Sequence, residues 1–153
     1  MAKRRDAIKM TPEEIRQFIS EQKSLQVATL NQDGSVHLST LWFGVIDDEI
    51  VFETYTKSQK ILNLQRDPRI AVLLEDGVEY DKLRGVTING TGQLHTDPAE
   101  VQKYAGAVIA RNHGLSSDDA NQAAAALAAK RTAVVVKPDK IVSWDHTKLG
   151  GTY

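Results

Sequence analysis

Between Leu25 and Tyr55 the chain carries three apolar, β-branched runs separated only by short turn-forming stretches. The runs are Leu25–Leu30, Val36–Phe43 and Ile50–Tyr55, and the connections are 31–34 and 44–49. A parallel neighbour needs a crossover of about a dozen residues or more. Connections this short therefore predict antiparallel strands, read here as a three-stranded meander. Asn31-Gln-Asp-Gly34 is a turn in which Gly34 is free to adopt a positive φ.

The other segments extend this pattern. Thr11-Pro12-Glu13-Glu14 reads as a helix start, with Thr11 as cap, Pro12 at the first helical position and Glu14 closing a capping box. That helix is expected to end near Glu21. A second helix is expected from Ser58 to Arg66, with Ser58 as cap and Asp67-Pro68 as stop. Ile70–Leu74 reads as a strand and 75–81 as an acidic loop. Val86 to Leu94 alternates strictly, with Val86, Ile88, Gly90, Gly92 and Leu94 on one face. Two glycines on that face predict a bend, or a surface where something packs closely on the backbone. Asp97-Pro98-Ala99-Glu100 reads as a second capping box that opens a helix closed by Gly114, and an alanine-rich helix is expected from Ser116 to about Lys130. The last strand runs from Thr132 past Pro138 to Trp144. Strands dominate and no βαβ alternation is present. The fold expected is mainly β with peripheral helices, a closed or half-closed barrel. Residues 1–10 are assigned to a flexible basic tail and 11–153 to one domain.

The 153 residues are 41% hydrophobic and 25% charged, which excludes disordered and fibrous classes. Absence of cysteine excludes disulfides, thiolate metal sites and thiol chemistry. A formal net charge of -1 argues against a broad nucleic-acid footprint. The basic start has no apolar run behind it, and no stretch is long enough to span a bilayer. A cytoplasmic protein that inserts in no membrane is expected.

Candidate chemistry is sparse. The histidines His37, His95, His113 and His146 fall at no metal-ligand spacing, and no metal site is expected. Glu75, Asp76, Glu79 and Asp81 could bind a cation, or form a solvated loop. Serine-hydrolase, P-loop and Rossmann fingerprints are absent. Thr54-Tyr-Thr-Lys-Ser-Gln-Lys60 stands out, because it lies at a strand-to-helix junction. Hydroxyls, the ammoniums of Lys57 and Lys60 and free helix-start amides together can hold a phosphate. Arg66 and Arg69 would widen the patch. The alternative is an ordinary solvated helix start with salt bridges. The tail from Val142 to Tyr153 carries two large aromatics, Trp144 and Tyr153, and is expected to dock on its own barrel or across a subunit interface.

The order of short helix, strands, Thr54-x-x-x-Ser58-x-Lys60, then Asn63-Leu-Gln-Arg-Asp-Pro68 and a further strand resembles the split β-barrel superfamily of pyridoxamine-phosphate oxidase. It most resembles the branch that uses the deazaflavin coenzyme F420, which the Trp144-Asp145-His146 to Gly150-Gly151 tail also fits. The resemblance implies a homodimer of split barrels with cofactor sites at the interface. It implies that the ring lies against Ser39, Thr40, Leu41 and Trp42. Thr56, Lys57, Ser58 and Lys60 match the family's phosphate-binding stretch, and Arg84 a position that approaches the cofactor. No residue is implied as nucleophile or other catalytic group. The implied activity is hydride transfer from reduced F420 to a small conjugated acceptor such as a quinone, an enone or a biliverdin-like compound. An FMN enzyme of the same fold and a non-catalytic F420 carrier are the alternatives. The arginine and histidine pattern by which pyridoxamine-phosphate oxidase binds substrate has no match in Trp144–Tyr153, so oxidation of vitamin B6 is not expected.

Overall fold

The computed structural model describes residues 3–151. Its helices are α1 (Arg4–Ala7), α2 (Pro12–Glu21), α3 (Gln59–Arg66), α4 (Pro98–His113) and α5 (Ser117–Ala125). The strands are β1 (Ser24–Leu30), β2 (Val36–Trp42), β3 (Gly44–Ile46), β4 (Glu49–Tyr55), β5 (Arg69–Asp76), β6 (Arg84–His95) and β7 (Arg131–Asp145). They form one antiparallel sheet in the order β2-β1-β5-β6-β7-β4-β3. Val27 of β1, Phe52 of β4, Val72 of β5, Val86 of β6 and Val134 of β7 meet in one buried cluster. Strands far apart in the sheet can share a core only if the sheet curls, and the result is a split half-barrel. Phe18 of α2 and Ile61 and Leu64 of α3 complete that core.

The expected meander is corrected. β1 and β2 pair as a hairpin, but β4 pairs with β7 and with the short β3, whose residues were assigned to a turn. Local patterning specifies a strand and its faces, whereas the choice between β2 and β7 as partner is decided by curvature and core closure. The hairpin between β3 and β4 turns on Asp47 and Asp48, with φ of 52° and 62°. Two successive positive φ values suit Asn-Gly or Asp-Gly. The left-handed backbone costs a residue with a Cβ roughly 1–2 kcal/mol, of which glycine's extra chain entropy offsets about 0.5–1, so Asp48→Gly is expected to stabilise the fold by about 0.5–1 kcal/mol, read as a higher urea midpoint at unchanged slope. A lower midpoint would contradict the turn geometry.

Local signals of α2 and α4 hold. Thr11 Oγ1 accepts from the Glu14 amide, and Glu14 Oε2 accepts from the Thr11 amide at 2.8 Å. Asp97 caps α4, but Glu100 turns to His95 at 3.0 Å and so does not close the reciprocal box. Gly114 ends α4 at φ 65°. The alanine-rich helix stops at Ala125, short of Lys130, and a 3₁₀ turn covers Ala128–Lys130. Ala128 packs with Val101, Tyr104 and Ala133. That packing at the entrance to β7 overrides helix propensity.

Both glycines of the alternating strand are explained. In register, Asn89 faces Lys140 and Gly90 faces Pro138, so Asp139 is the extra residue of a bulge. A Cβ on Gly90 would lie 1.9 Å from the Lys137 carbonyl oxygen. On Gly92 its nearest neighbours would be side-chain atoms of Leu64 and Val134, at 3.0 to 3.3 Å.

The chain ends are tied together. The Met10 amide donates to Ser143 Oγ at 3.0 Å, and the Asp145 amide donates to the Ile8 carbonyl at 2.7 Å. Residues 8–10, assigned to a flexible tail, are thus fastened to β7. Lys148 Nζ donates to Glu14 Oε2 and to the Lys9 carbonyl. Trp144 lies against the bare backbone of Gly85, and the His146 ring lies 4.7 Å from that of Tyr80. The tail therefore docks on its own barrel through these residues. Tyr153 lies outside the described residues.

Candidate functional site

The strand-to-helix junction after β4 is held from both sides. The Thr56 amide donates to the Lys130 carbonyl at 3.0 Å, and the hydroxyls of Thr56 and Thr132 share a hydrogen bond at 2.9 Å. The Ser58 carbonyl then accepts from the amides of Ile61 and Leu62 to start α3. α3 is pinned to the hairpin by buried Asn63, whose Nδ2 donates to Thr29 Oγ1 and Asn31 Oδ1, each at 3.0 Å. Gln59 Nε2 donates back to Asn63 Oδ1 at 2.9 Å.

Ser58 has cap backbone geometry, but its hydroxyl makes no capping bond, contrary to expectation. Its Oγ is buried without a partner. Lys57 is exposed and Lys60 half-buried. Among the described residues neither has a carboxylate within salt-bridge distance. Burial pushes the Lys60 ammonium below the usual lysine range. An ammonium with no carboxylate partner among the described residues and, two positions before it, a buried hydroxyl with no hydrogen-bond partner are donors that an anion can use.

The expected widening of this patch does not occur. Arg69 chelates Asp67, with Nη2 donating to Oδ2 at 2.7 Å, and these bonds hold the Asp67 carboxyl at about 2. Arg66 is turned onto the Leu30 carbonyl. Arg131, which sequence reasoning passed over, sits 4.3 Å above the Tyr55 ring and pairs with Glu53 at 2.9 Å.

β2, which carries Ser39 to Trp42, is an edge strand. Leu41 faces the core and packs on it, and the buried Ser39 Oγ has no partner. Thr40 and Trp42 face outward in line with Val36 and Leu38. Leu38 is 68% exposed and Trp42 48%. The His113 ring stands edge-on to Trp42 at 5.1 Å. Beside this stripe the outer face holds a groove of about 370 Å³ floored by Ala28, Leu30, Val36 and Ala71.

Arg84 is not brought to the lysines. It lies at the start of β6, opposite Asp145, whereas the β7 start that holds Thr56 pairs with the other end of β6. Its guanidinium donates to Asp76 at 2.7 Å and to Glu21 at 3.1 Å, and lies 5.0 Å from the Phe18 ring centroid. Within one chain it locks α2 to the sheet. Asp76 is thereby drawn out of the acidic cluster of residues 75–81. No group of three potential metal ligands occurs among the described residues.

The family model described as pyridoxamine 5′-phosphate oxidase matches residues 11–145. The chain belongs to that family. Residues 56–60 and the edge strand β2 both fall within the matched residues. Among solved structures, the conserved hypothetical protein Rv2991 from Mycobacterium tuberculosis is 38% identical, with a TM-score of 0.91 over 99% of this chain and 95% of that one. An F420 reductase shares the family fold at 21% identity and a TM-score of 0.60, over 86% of this chain and 98% of its own. HutZ, a heme storage protein from Vibrio cholerae, does so at 17% identity and a TM-score of 0.66, over 86% and 94%. No curated protein sequence matches this chain. Among the described residues no helix is long and apolar enough to cross a membrane.

Proposed function

We propose that this chain is an F420-dependent oxidoreductase that transfers a hydride between the reduced deazaflavin and a small conjugated organic acceptor. The observation that carries this reading is the stretch after β4, where Lys57 and Lys60 have no carboxylate partner among the described residues and the Ser58 hydroxyl between them in sequence has no hydrogen-bond partner. These residues fit the phosphate of such a cofactor. Lys60 supplies charge from a partly desolvated position, where electrostatic attraction is stronger than in water. Ser58 adds a directional bond, and Thr56 keeps the strand end in place. When bound, the deazaflavin supplies the hydride-donating carbon. The protein's part is to orient the ring along β2 and to exclude water from it.

We further propose that the protein acts as a homodimer that buries the outward face of β2. Val36, Leu38 and Trp42 give that face an apolar character beside an open strand edge, a combination that proteins usually cover. A ring lying between two such faces would meet Thr40 and Trp42. The F420 reductase of the same fold supports the choice of cofactor.

Titration of the purified protein with F420 and with FMN, followed by fluorescence, tests the reading. Tighter binding of F420 is expected, as is oxidation of reduced F420 by at least one member of a panel of quinones, enones and biliverdin. Binding of FMN alone would transfer the assignment to that cofactor, since the lysines serve either phosphate. F420 binding without turnover across the panel would make the protein a carrier, and binding of neither cofactor would overturn the proposal.

A further inference from the structure

The groove of about 370 Å³ beside β2 has no task in the proposed function. Its shape follows from register. Ala28 of β1 lies directly opposite Ala71 of β5, and Ala71 lies opposite Asn89 of β6. Strand positions favour larger β-branched and aromatic side chains, so two alanines side by side leave a depression in the outer face. Leu30 and Val36, the next cross-strand pair on that face, extend its apolar floor. The long helix α4 packs on β3, β4 and β7, away from this part of the sheet.

The charges around the groove leave no free cation in it. Among the described residues Arg69 is the one cation of the lining, and Asp67 chelates it at 2.7 Å. Asp139, the extra residue of the bulge, also lines the groove and is in no salt bridge among the described residues. Lys140 lies opposite Asn89 but outside the lining, and it offsets Asp139 without giving the groove a positive excess. Asn89 is exposed at the far side and brings an uncharged donor and acceptor.

We propose that this groove binds the acceptor of the reaction, and that it selects neutral, flat, conjugated compounds of quinone or enone type over anionic ones. The inference deepens the proposed function and rests on its placing of the ring along β2, whose Val36 belongs to the groove. The apolar floor favours a flat ring system whose surface leaves water on binding. A ligand carbonyl oxygen can accept from Asn89 Nδ2. A carboxylated ligand finds no free cation there and loses hydration over the alanines. Biliverdin-like compounds, which carry two carboxylates, are therefore the disfavoured members of the acceptor panel. A second copy seated on β2 would roof the depression, because Val36 and Leu38, longer than the alanines beside them, meet it first.

The test uses menadione, a neutral quinone, and biliverdin as probes in equilibrium dialysis, with cofactor-free and F420-loaded protein. Cofactor titration, sedimentation and thermal unfolding run alongside. Wild type is expected to bind menadione more tightly than biliverdin. Ala71→Leu fills the depression and should weaken menadione binding roughly tenfold or more, with cofactor affinity, sedimentation and midpoint unchanged. Ala28→Leu fills it from the neighbouring strand and should do the same, which keeps the test open if one variant does not fold. Asp139→Lys should strengthen biliverdin binding. Menadione binding unchanged in the groove-filling variants would overturn the inference and leave the proposed function standing. Tighter binding of biliverdin than of menadione by wild type would do the same. So would loss of menadione binding that comes with a change in oligomeric state, which would make the groove a seat for a second copy. Absence of menadione binding to wild type that binds F420 would also overturn the inference alone. Groove-dependent menadione binding with neither F420 nor FMN bound would uphold the quinone site and overturn the function. Binding of neither menadione nor a cofactor would overturn both.

Discussion

The double variant Lys57→Ala, Lys60→Ala is expected to lose F420 affinity by at least about 100-fold while folding normally. On the proposed assignment each lysine offers a charge-assisted hydrogen bond to the same phosphate, and each such bond is worth roughly tenfold or more. The single variants should be unequal. Lys60 is half-buried and its charged form is already disfavoured there, whereas Lys57 is exposed and competes with water and salt. Lys60→Ala alone should therefore carry the larger part of the loss, and its effect should fall less with added salt. Neither change should lower the unfolding midpoint, because neither ammonium pairs with a carboxylate among the described residues. Removing Lys60 takes away a partly desolvated charge with no partner, so its midpoint should stay level or rise. The measurement is fluorescence titration at two salt concentrations beside thermal unfolding. Equal affinity for wild type and the double variant would sink the phosphate assignment.

The largest effect on the fold is expected at Gly90. A methyl group there would sit 1.9 Å from the Lys137 carbonyl oxygen and 3.1 Å from Pro138 Cα, both backbone atoms of the neighbouring strand. No rotamer relieves a clash with backbone, so β6 and β7 must separate at the bulge. Overpacking of a well-packed region costs about 1–3 kcal/mol and sometimes more. Gly90→Ala is placed at or above about 3 kcal/mol, a large fraction of an ordinary domain's stability. The reduced entropy of the unfolded chain offsets less than about 1 kcal/mol of that. Gly92→Ala is the matched control, because the atoms nearest its new methyl are the movable ends of Leu64 and Val134. Urea unfolding followed by circular dichroism should rank wild type above Gly92→Ala and Gly92→Ala well above Gly90→Ala. Equal midpoints for the two variants would show that the bulge gives way readily.

What the residues disclose in advance, and what they do not, divides along a physical line. The capping box at Thr11 and Glu14, the alternation of β6 and the end of α4 at Gly114 are encoded by neighbours a few residues apart, and they are legible. The close packing over Gly90 and Gly92 is also legible, because two glycines on one strand face have few other uses. The partner of β4 is not, since Tyr55 could have met β2 as easily as Arg131 by local pattern alone. Thr56, Lys57, Ser58 and Lys60 are neighbours because they fall within one short stretch of chain, residues 56–60. The fates of the nearby cations are not readable: Arg69 spends its charge on Asp67 and Arg66 on a carbonyl, and both outcomes depend on how the turn after α3 is shaped. Asn63 is the sharpest omission. A polar residue between Ile61 and Leu64 on a short amphipathic helix was the available signal that α3 has a specific polar anchor.

The position of β7 in the sheet also bears on how the protein is made. β7 is the last strand in chain order, yet it lies between β6 and β4. Thr56, at the end of β4, waits for Thr132, 76 residues further on. During synthesis the hairpin of β3 and β4 therefore emerges from the ribosome early and stays without its neighbour until nearly the whole sheet has been translated. Contacts so distant in sequence slow folding and leave apolar strand surface open for longer. Val51, Phe52 and Val134 are fully covered in the finished protein but unsheltered in the nascent one. Demand for chaperone protection should accordingly be greatest while residues 56–131 are being made, and should end when β7 slots into place.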